Sequence, residues 1–429
     1  MKEHINNNFY LLRQKGSFAT RPSVVSTGEA ARDWIKGLSN EELTKYRVTR
    51  EQMFRLLDVS SYGGIANPSV DPTRRQEVYE RGYRLLGSMY GIEGTQREIE
   101  SKINSYADVA DGVIEHIRLG VLRDSSPKLE MINEIQATNS PVDLLHIVFN
   151  ERYHQKARFE AKRKLILMGL AGSIDQRERE TDVKNKFAQF VNFLNQNVWS
   201  KNTKIGEFET VYLKSEHDPD TFETLSVKVL DEETGEKETI TKGQKLTILS
   251  RRKFHINGSD TPMYVTVRQK SPETKILKML RRGQENPAVA VDDELGLMGV
   301  ANTTRDIRLF LKCLSQNATA TGSLITLEEI SDTLDGKEFN GRSIGSSSQV
   351  TMLKFFAKMR GMRVEFILNT NKSYLDYLYK RGSSHEEYEV KRIFDAGVAD
   401  LLFPEELYKV NMQVSRDHAL QKARERIEN

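Results

Sequence analysis

Between Arg251 and Arg282 the chain concentrates cations: Arg251, Arg252, Lys253, Arg268, Lys270, Lys275, Lys278, Arg281 and Arg282 are opposed within the segment only by Asp260 and Glu273. Lys275, Lys278 and Arg282 fall at i, i+3 and i+7, one side of a helix expected over 272–282. A nucleoside triphosphate needs such point and forked donors converging from a strand–helix corner. The cluster alone also reads as a solvated helix face. Further on, Val291-Asp292-Asp293-Glu294-Leu295-Gly296 leads into a short strand, and Arg363-Val364-Glu365-Phe366-Ile367-Leu368 is an apolar strand bearing one carboxylate. Two carboxylates on neighbouring strands opposite a basic helix are the oxygen ligands Mg²⁺ takes beside a triphosphate. Taken singly, Glu365 reads as the solvated position of a half-buried strand.

The elements that must position these groups follow from caps and periodicity. Ser39 with Glu42 and Thr95 with Glu98 have capping-box spacing, and Asp71-Pro72, Ser126-Pro127 and Ser140-Pro141 place a cap before a first-turn proline. Helices are expected near 28–37, 40–46, 50–58, 72–90, 96–118, 127–136, 141–170 and 176–198, which makes residues 1–203 an all-helical domain. Over 141–170 mixed charge (Arg152, Lys156, Arg158, Glu160, Lys162, Arg163, Lys164) suggests a buried face and an exposed, partly basic one, a surface for tRNA or an acidic protein or simply a solvated face. From about Ile205 the texture becomes alternating and β-branched: EFETVYL, FETLSVKVL, KETITKG, QKLTIL and MYVTVRQ. DEETGEK, with Gly235 at positive φ, reads as a hairpin turn, so 204–250 is expected to be a small antiparallel connecting element. Residues 251–429 then alternate: strand 262–269, helix 272–282, strand 295–301, helix 304–315, strands 349–357 and 362–369, and helices beyond 371. The whole is an α+β protein.

Composition bounds the function. The 429 residues are 38% hydrophobic and 29% charged, apolar enough to fold and too balanced for a disordered chain. Lys+Arg 64 against Asp+Glu 61 leaves +3, so any basic surface must come from local clustering. No apolar run suits a membrane span and the first residues lack a secretory h-region. The single cysteine, Cys313, excludes a disulfide framework and multi-cysteine zinc, and a reducing cytoplasm is expected.

The order of the pieces resembles the synthetase domain of the RelA/SpoT alarmone family over roughly 255–395. The matching residues are Arg268, Lys270 and Ser271 in R-x-K-S-P-x-(S/T), Lys278 on the following helix, Asp293 and Gly296 in D-x-x-G, Val364 and Glu365 in the late strand, then Thr370, His385 and Tyr388. The resemblance implies a nucleotidyltransferase-like mixed sheet flanked by helices, and transfer of pyrophosphate from ATP to a guanosine nucleotide's 3′ hydroxyl. It implies that Arg268, Lys270 and Lys278 hold the ATP phosphates; Ser271 of the same motif and Arg281 of the basic cluster are further candidates for binding the nucleotide. Asp293 would bind Mg²⁺, and Glu365 would approach the metal and help deprotonate the attacking hydroxyl. The chain departs from the family at Met298, where D-x-x-G-x-R has arginine, and at Asn340-Gly341-Arg342-Ser343, which lacks the acceptor-stacking tyrosine and the histidine of N-G-Y-x-S-x-H.

Three expectations stay open. The chain is an ATP- and Mg²⁺-dependent pyrophosphate or nucleotidyl transferase acting on a nucleotide or RNA acceptor, with the helical half regulating it or recognising a protein partner; or a catalytically degenerate module that senses nucleotides or docks on a protein; or a toxin-like modifier of the tRNA 3′ end. Other patterns read as structural. Glu151-Arg-Tyr-His154 lacks the second copy a di-iron bundle needs, Cys313 sits among helical leucines, Tyr374, Tyr377 and Tyr379 pack a helix, and Gly345-Ser346 has no D-x-D pair behind it.

Overall fold

The computed structural model describes residues 35–61, 72–149, 152–200, 208–335, 350–359 and 361–428. In chain order its elements are α1 (Asn40–Leu57), α2 (Pro72–Tyr90), α3 (Gln96–Glu115), α4 (Asn133–Ala137), α5 (Pro141–Phe149), α6 (Gln155–Thr181), α7 (Val183–Phe193), β1 (Glu209–His217), β2 (Thr224–Asp231), α8 (Glu232–Glu236), β3 (Gln244–Ile256), β4 (Ser259–Gln269), α9 (Pro272–Arg282), α10 (Pro287–Ala290), β5 (Leu295–Ala301), α11 (Thr304–Ala320), β6 (Thr326–Asp332), β7 (Leu353–Met359), β8 (Met362–Thr370), α12 (Asn371–Tyr379), α13 (His385–Asp395), α14 (Val398–Leu402), α15 (Glu405–Tyr408) and α16 (Met412–Glu428). The chain divides into two units: Met1–Thr181, Ser271–Asp292 and Ile393–Arg416 form one, and Asp182–Lys270, Asp293–Arg392 and Asp417–Asn429 the other. No helix of the described residues is long and apolar enough to cross a membrane.

The helical unit begins where its caps say. The Ser39 N–H donates to Glu42 at 2.8 Å while the Glu42 N–H donates to Ser39 Oγ at 3.3 Å, and Thr95 and Glu98 repeat the exchange at the start of α3. With no proline or glycine between, 40–46 and 50–58 join into the single helix α1, which Asp58 closes in the left-handed conformation. The expected helix 141–170 is two. His154 Nδ1 accepts from the Ala157 N–H at 3.3 Å and so starts α6 afresh. That spends the histidine of the E-x-x-H pattern on a cap; Glu151 lies outside the described residues, as does most of the expected helix at 28–37.

The mixed charge of α6 is not an exposed face. Arg158, Glu160, Lys162, Arg163 and Lys164 are all buried. Lys164 Nζ donates to Asp111 and to the Gln136 carbonyl, both at 2.9 Å. Glu160 accepts from the Tyr408 hydroxyl and the Ile132 N–H, both at 2.9 Å, and Arg163 donates to the Leu402 carbonyl with its guanidinium 4.7 Å from the centre of the Phe403 ring. Such contacts offset part of the desolvation penalty that charges carry into a core. Ile276 and Met279 of α9, and Leu402, Phe403 and Tyr408, belong to the same apolar core. The helical body is therefore completed by 271–292 and 393–416 and is not contained in 1–203.

The other unit is built on one eight-stranded sheet in the order β2-β1-β3-β4-β5-β8-β7-β6, antiparallel except for the parallel pair β5 and β8. Residues 204–250, expected as a separate connecting element, supply β1, β2 and most of β3 of this sheet. Residues 182–198 belong here too, because Val183, Phe190, Phe193, Leu194 and Val198 join its core. The tight hairpin lies at Asn257-Gly258 between β3 and β4, with φ of 52° and 79° as a two-residue turn demands. DEETGEK instead winds into α8. Its Gly235 is needed for space, since a Cβ there would fall 2.2 Å from Tyr212 Cγ. KETITKG is not a strand, and edge strand β6, rich in acids, was hidden in the sequence by its charges.

Candidate active site

Alternation along β8 separates two chemistries. Val364, Phe366 and Leu368 point into an apolar core closed by α7 and α11. Glu365 points to the opposite face. There the register sets Arg268 of β4 against Gly296 of β5, Gly296 against Glu365, and Glu365 against Phe356 of β7, one cross-strand row. Arg268 lies over Gly296, close enough that a Cβ there would touch Arg268 Nε at 3.4 Å, an ordinary van der Waals contact. Arg268 is exposed and has no ion pair among the described residues.

Both carboxylates of the site are largely buried, Glu365 at 5% and Asp293 at 9% exposure, and each is met by an ammonium. Lys270, whose N–H donates to the Glu294 carbonyl at 3.1 Å, pairs with Asp293. Lys354 of β7 lies 3.0 Å from Glu365. Mg²⁺ is commonly held by one or two carboxylates together with substrate phosphates. Asp293 and Glu365 have the donor chemistry for that. Among the described residues no group of three or more His, Cys, Asp or Glu could hold a metal without a ligand's help.

One end of the polar face is covered by α12, whose Tyr374 and Leu375 cluster with Val211, Leu213, Leu249 and Val300. Met298, in the position of the expected arginine, packs against this cluster, where a guanidinium would lose water without a partner. Tyr377 does more than pack. Burial pushes its hydroxyl up to about 12, Arg268 pulls it down, and Glu389 and Glu365 push it up, so it lies within the field of the site. Its ring stacks on His385, with centroids 5.0 Å apart and planes at 23°.

Of the residues expected in one cradle, Arg268, Lys270, Asp293 and Glu365 belong to the sheet unit, whereas Ser271, Lys278 and Arg281 belong to the helical unit. Ser271 caps α9, accepting from the Thr274 N–H at 3.4 Å. Lys278 is buried and lies 2.8 Å from Asp292; Lys275 is fully buried and 2.7 Å from Glu178. The basic stripe of α9 is thus opposed by Asp292, just beyond the helix, and by the distant Glu178. Thr370 caps α12 by exchanging bonds with Ser373. Tyr388 carries Arg392 over its ring at 4.9 Å. The Asn340–Ser348 segment lies outside the described residues. Lys354 is the residue that sequence reasoning missed; the alternation of Leu-Lys-Phe-Phe-Ala-Lys sets it on one face, but only the register brings it to Glu365.

No family model, curated protein or solved structure matches the chain significantly.

Proposed function

We propose that the sheet unit is a Mg²⁺-dependent transferase that moves a pyrophosphoryl or nucleotidyl group from ATP to a hydroxyl of a nucleotide or RNA acceptor, as the RelA/SpoT resemblance implies. One observation carries the reading: Arg268, Gly296 and Glu365 stand in a single row on the polar face, with Lys270 and Asp293 at the ends of the same strands. Arg268 and Lys270 bind phosphate oxygens, a positioning and charge-neutralising task. Asp293 and Glu365 hold the metal, which when bound neutralises charge on the phosphates. Glu365 also takes the proton of the attacking hydroxyl. In pyrophosphoryl transfer the acceptor oxygen bonds to the β-phosphorus and AMP leaves; in nucleotidyl transfer it bonds to the α-phosphorus and pyrophosphate leaves. Tyr377 borders the site. Ser271, Lys278 and Arg281 carry no role in this reading.

A second reading, a nucleotide-sensing module without chemistry, is favoured by Met298 in its apolar cluster and by the ammonium already seated on each carboxylate. Incubation with γ-labelled ATP, Mg²⁺ and in turn guanosine nucleotides, adenosine nucleotides and tRNA separates the two. Label on an acceptor, lost at least about 100-fold in E365Q, supports pyrophosphoryl transfer. An α-label on the acceptor marks nucleotidyl transfer. ATP binding with neither leaves the sensing module, and no ATP binding rejects both.

A further inference from the structure

We propose that Lys354 couples metal binding to phosphate binding: in the ligand-free protein it holds Glu365, and when a divalent cation takes that carboxylate it passes to a phosphate oxygen of the nucleotide. The inference rests on the reading of the site given above and adds to it a residue which that reading does not use.

The geometry is that of an exchangeable partner. Lys354 and Glu365 sit on adjacent antiparallel strands and on the same face, Glu365 opposite Phe356 and Lys354 two residues earlier, opposite Ile367. Their side chains are 14% and 7% exposed, so the 3.0 Å pair is shielded yet reaches the open face. A half-buried ammonium that loses its carboxylate must find another anion or carry a large penalty. The rest of its cross-strand row, Ser331, Ile367, Met298 and Thr266, is neutral and offers none. A bound triphosphate does, and its charge needs more than the single exposed guanidinium of Arg268. Asp293 and Lys270 form the same kind of pair at the strand ends. A cation alone would therefore have to expel the Lys354 ammonium with no anion of its cross-strand row to receive it, and a nucleotide alone would meet an ammonium already engaged. Each ligand makes room for the other, a positive coupling that is reciprocal by linkage.

The test uses the full chain, with Mn²⁺ as a paramagnetic stand-in for Mg²⁺, and reads binding as well as activity. In the wild type, saturating ATP should tighten Mn²⁺ binding at least tenfold, measured by electron paramagnetic resonance. In K354M, Mn²⁺ alone should bind several-fold tighter because Glu365 is released, ATP in the presence of Mn²⁺ should bind at least tenfold more weakly, and the coupling should collapse towards unity. K354R, which keeps the cation, should retain most of the coupling; K354Q replaces K354M if the latter does not fold by circular dichroism. Coupling unchanged in K354M overturns the inference and leaves the reading of the site intact. A wild-type protein that binds neither Mn²⁺ nor ATP overturns both.

Discussion

The core of the helical unit and the polar face of the sheet treat charge in opposite ways. In the helical unit, Glu160, Arg163 and Lys164 are sunk to 0–1% exposure, and each makes two or more contacts with backbone N–H groups, carbonyls, carboxylates, hydroxyls or aromatic faces. In the sheet unit, among the described residues, Arg268 is exposed without an ion pair, and Lys354 and Glu365 make their ion pair with each other. A buried charge held on several sides specifies a packing arrangement and has little left to offer a ligand. A charge with one partner at the margin of solvent can change partners. The basic clusters of α6 and α9 are conspicuous in the sequence but belong mainly to architecture; the sparser charges of β4, β7 and β8 are the ones placed for chemistry.

The harshest test of this contrast cuts the chain. A fragment of residues 1–181 lacks Leu402, Phe403 and Tyr408, the partners of Arg163 and Glu160, together with Ile276 and Met279 of the core. It is expected to show no cooperative melting transition by calorimetry. An independently folding fragment would mean that the buried charges satisfy one another within 1–181.

Next in size are K164M and R268M. Removing Lys164 leaves Asp111, whose carboxyl burial already pushes up and Lys164 pulls back, without its ammonium, and strips the Gln136 carbonyl of its donor. Urea unfolding should show a loss of about 3 kcal/mol. R268M should stay within about 0.5 kcal/mol of the wild type, while weakening ATP binding at least tenfold. Equal losses of stability would erase the distinction between the units.

The smallest effect sharpens an exception. Glu285 of the helical unit keeps Oε1 buried without a partner, and burial raises its pKa from 4.5 to about 7. A raised folded-state pKa favours folding fully below the unfolded value of 4.5, and that contribution is lost as pH rises to about 7. E285Q should flatten the fall in stability across this window and, allowing for solvent screening of a half-exposed group, gain about 1 kcal/mol at pH 8. Parallel pH profiles of variant and wild type would show that Glu285 finds a partner in solution.

Local rules were readable in the sequence. Both capping boxes, helix 272–282 and strand 295–301 are where spacing puts them, because each is decided within a few residues. What spacing does not carry is pairing at a distance. The register of β5, β8 and β7 sets Gly296 and Phe356 on either side of Glu365 and so brings Lys354, two residues before Phe356, within reach of its carboxylate. The acids opposing α9 include Glu178, nearly a hundred positions away. The discontinuous helical unit is invisible for the same reason, and the mixed charge of α6 has the appearance of a solvated face until its partners are known. Strand β6 was missed because an edge strand paired on one side only can carry acids, here at three of its seven positions.

The central claim is that the polar face of the sheet is where this protein meets a nucleotide. Hydrogen–deuterium exchange of the full chain, with and without ATP and Mg²⁺, tests it by location. Amides of 264–270, 294–298 and 353–368 should exchange more slowly when ligand is present, with little change in α11 against the opposite face. Protection confined to the helical unit, or none in those three segments at saturating ATP, would contradict the account.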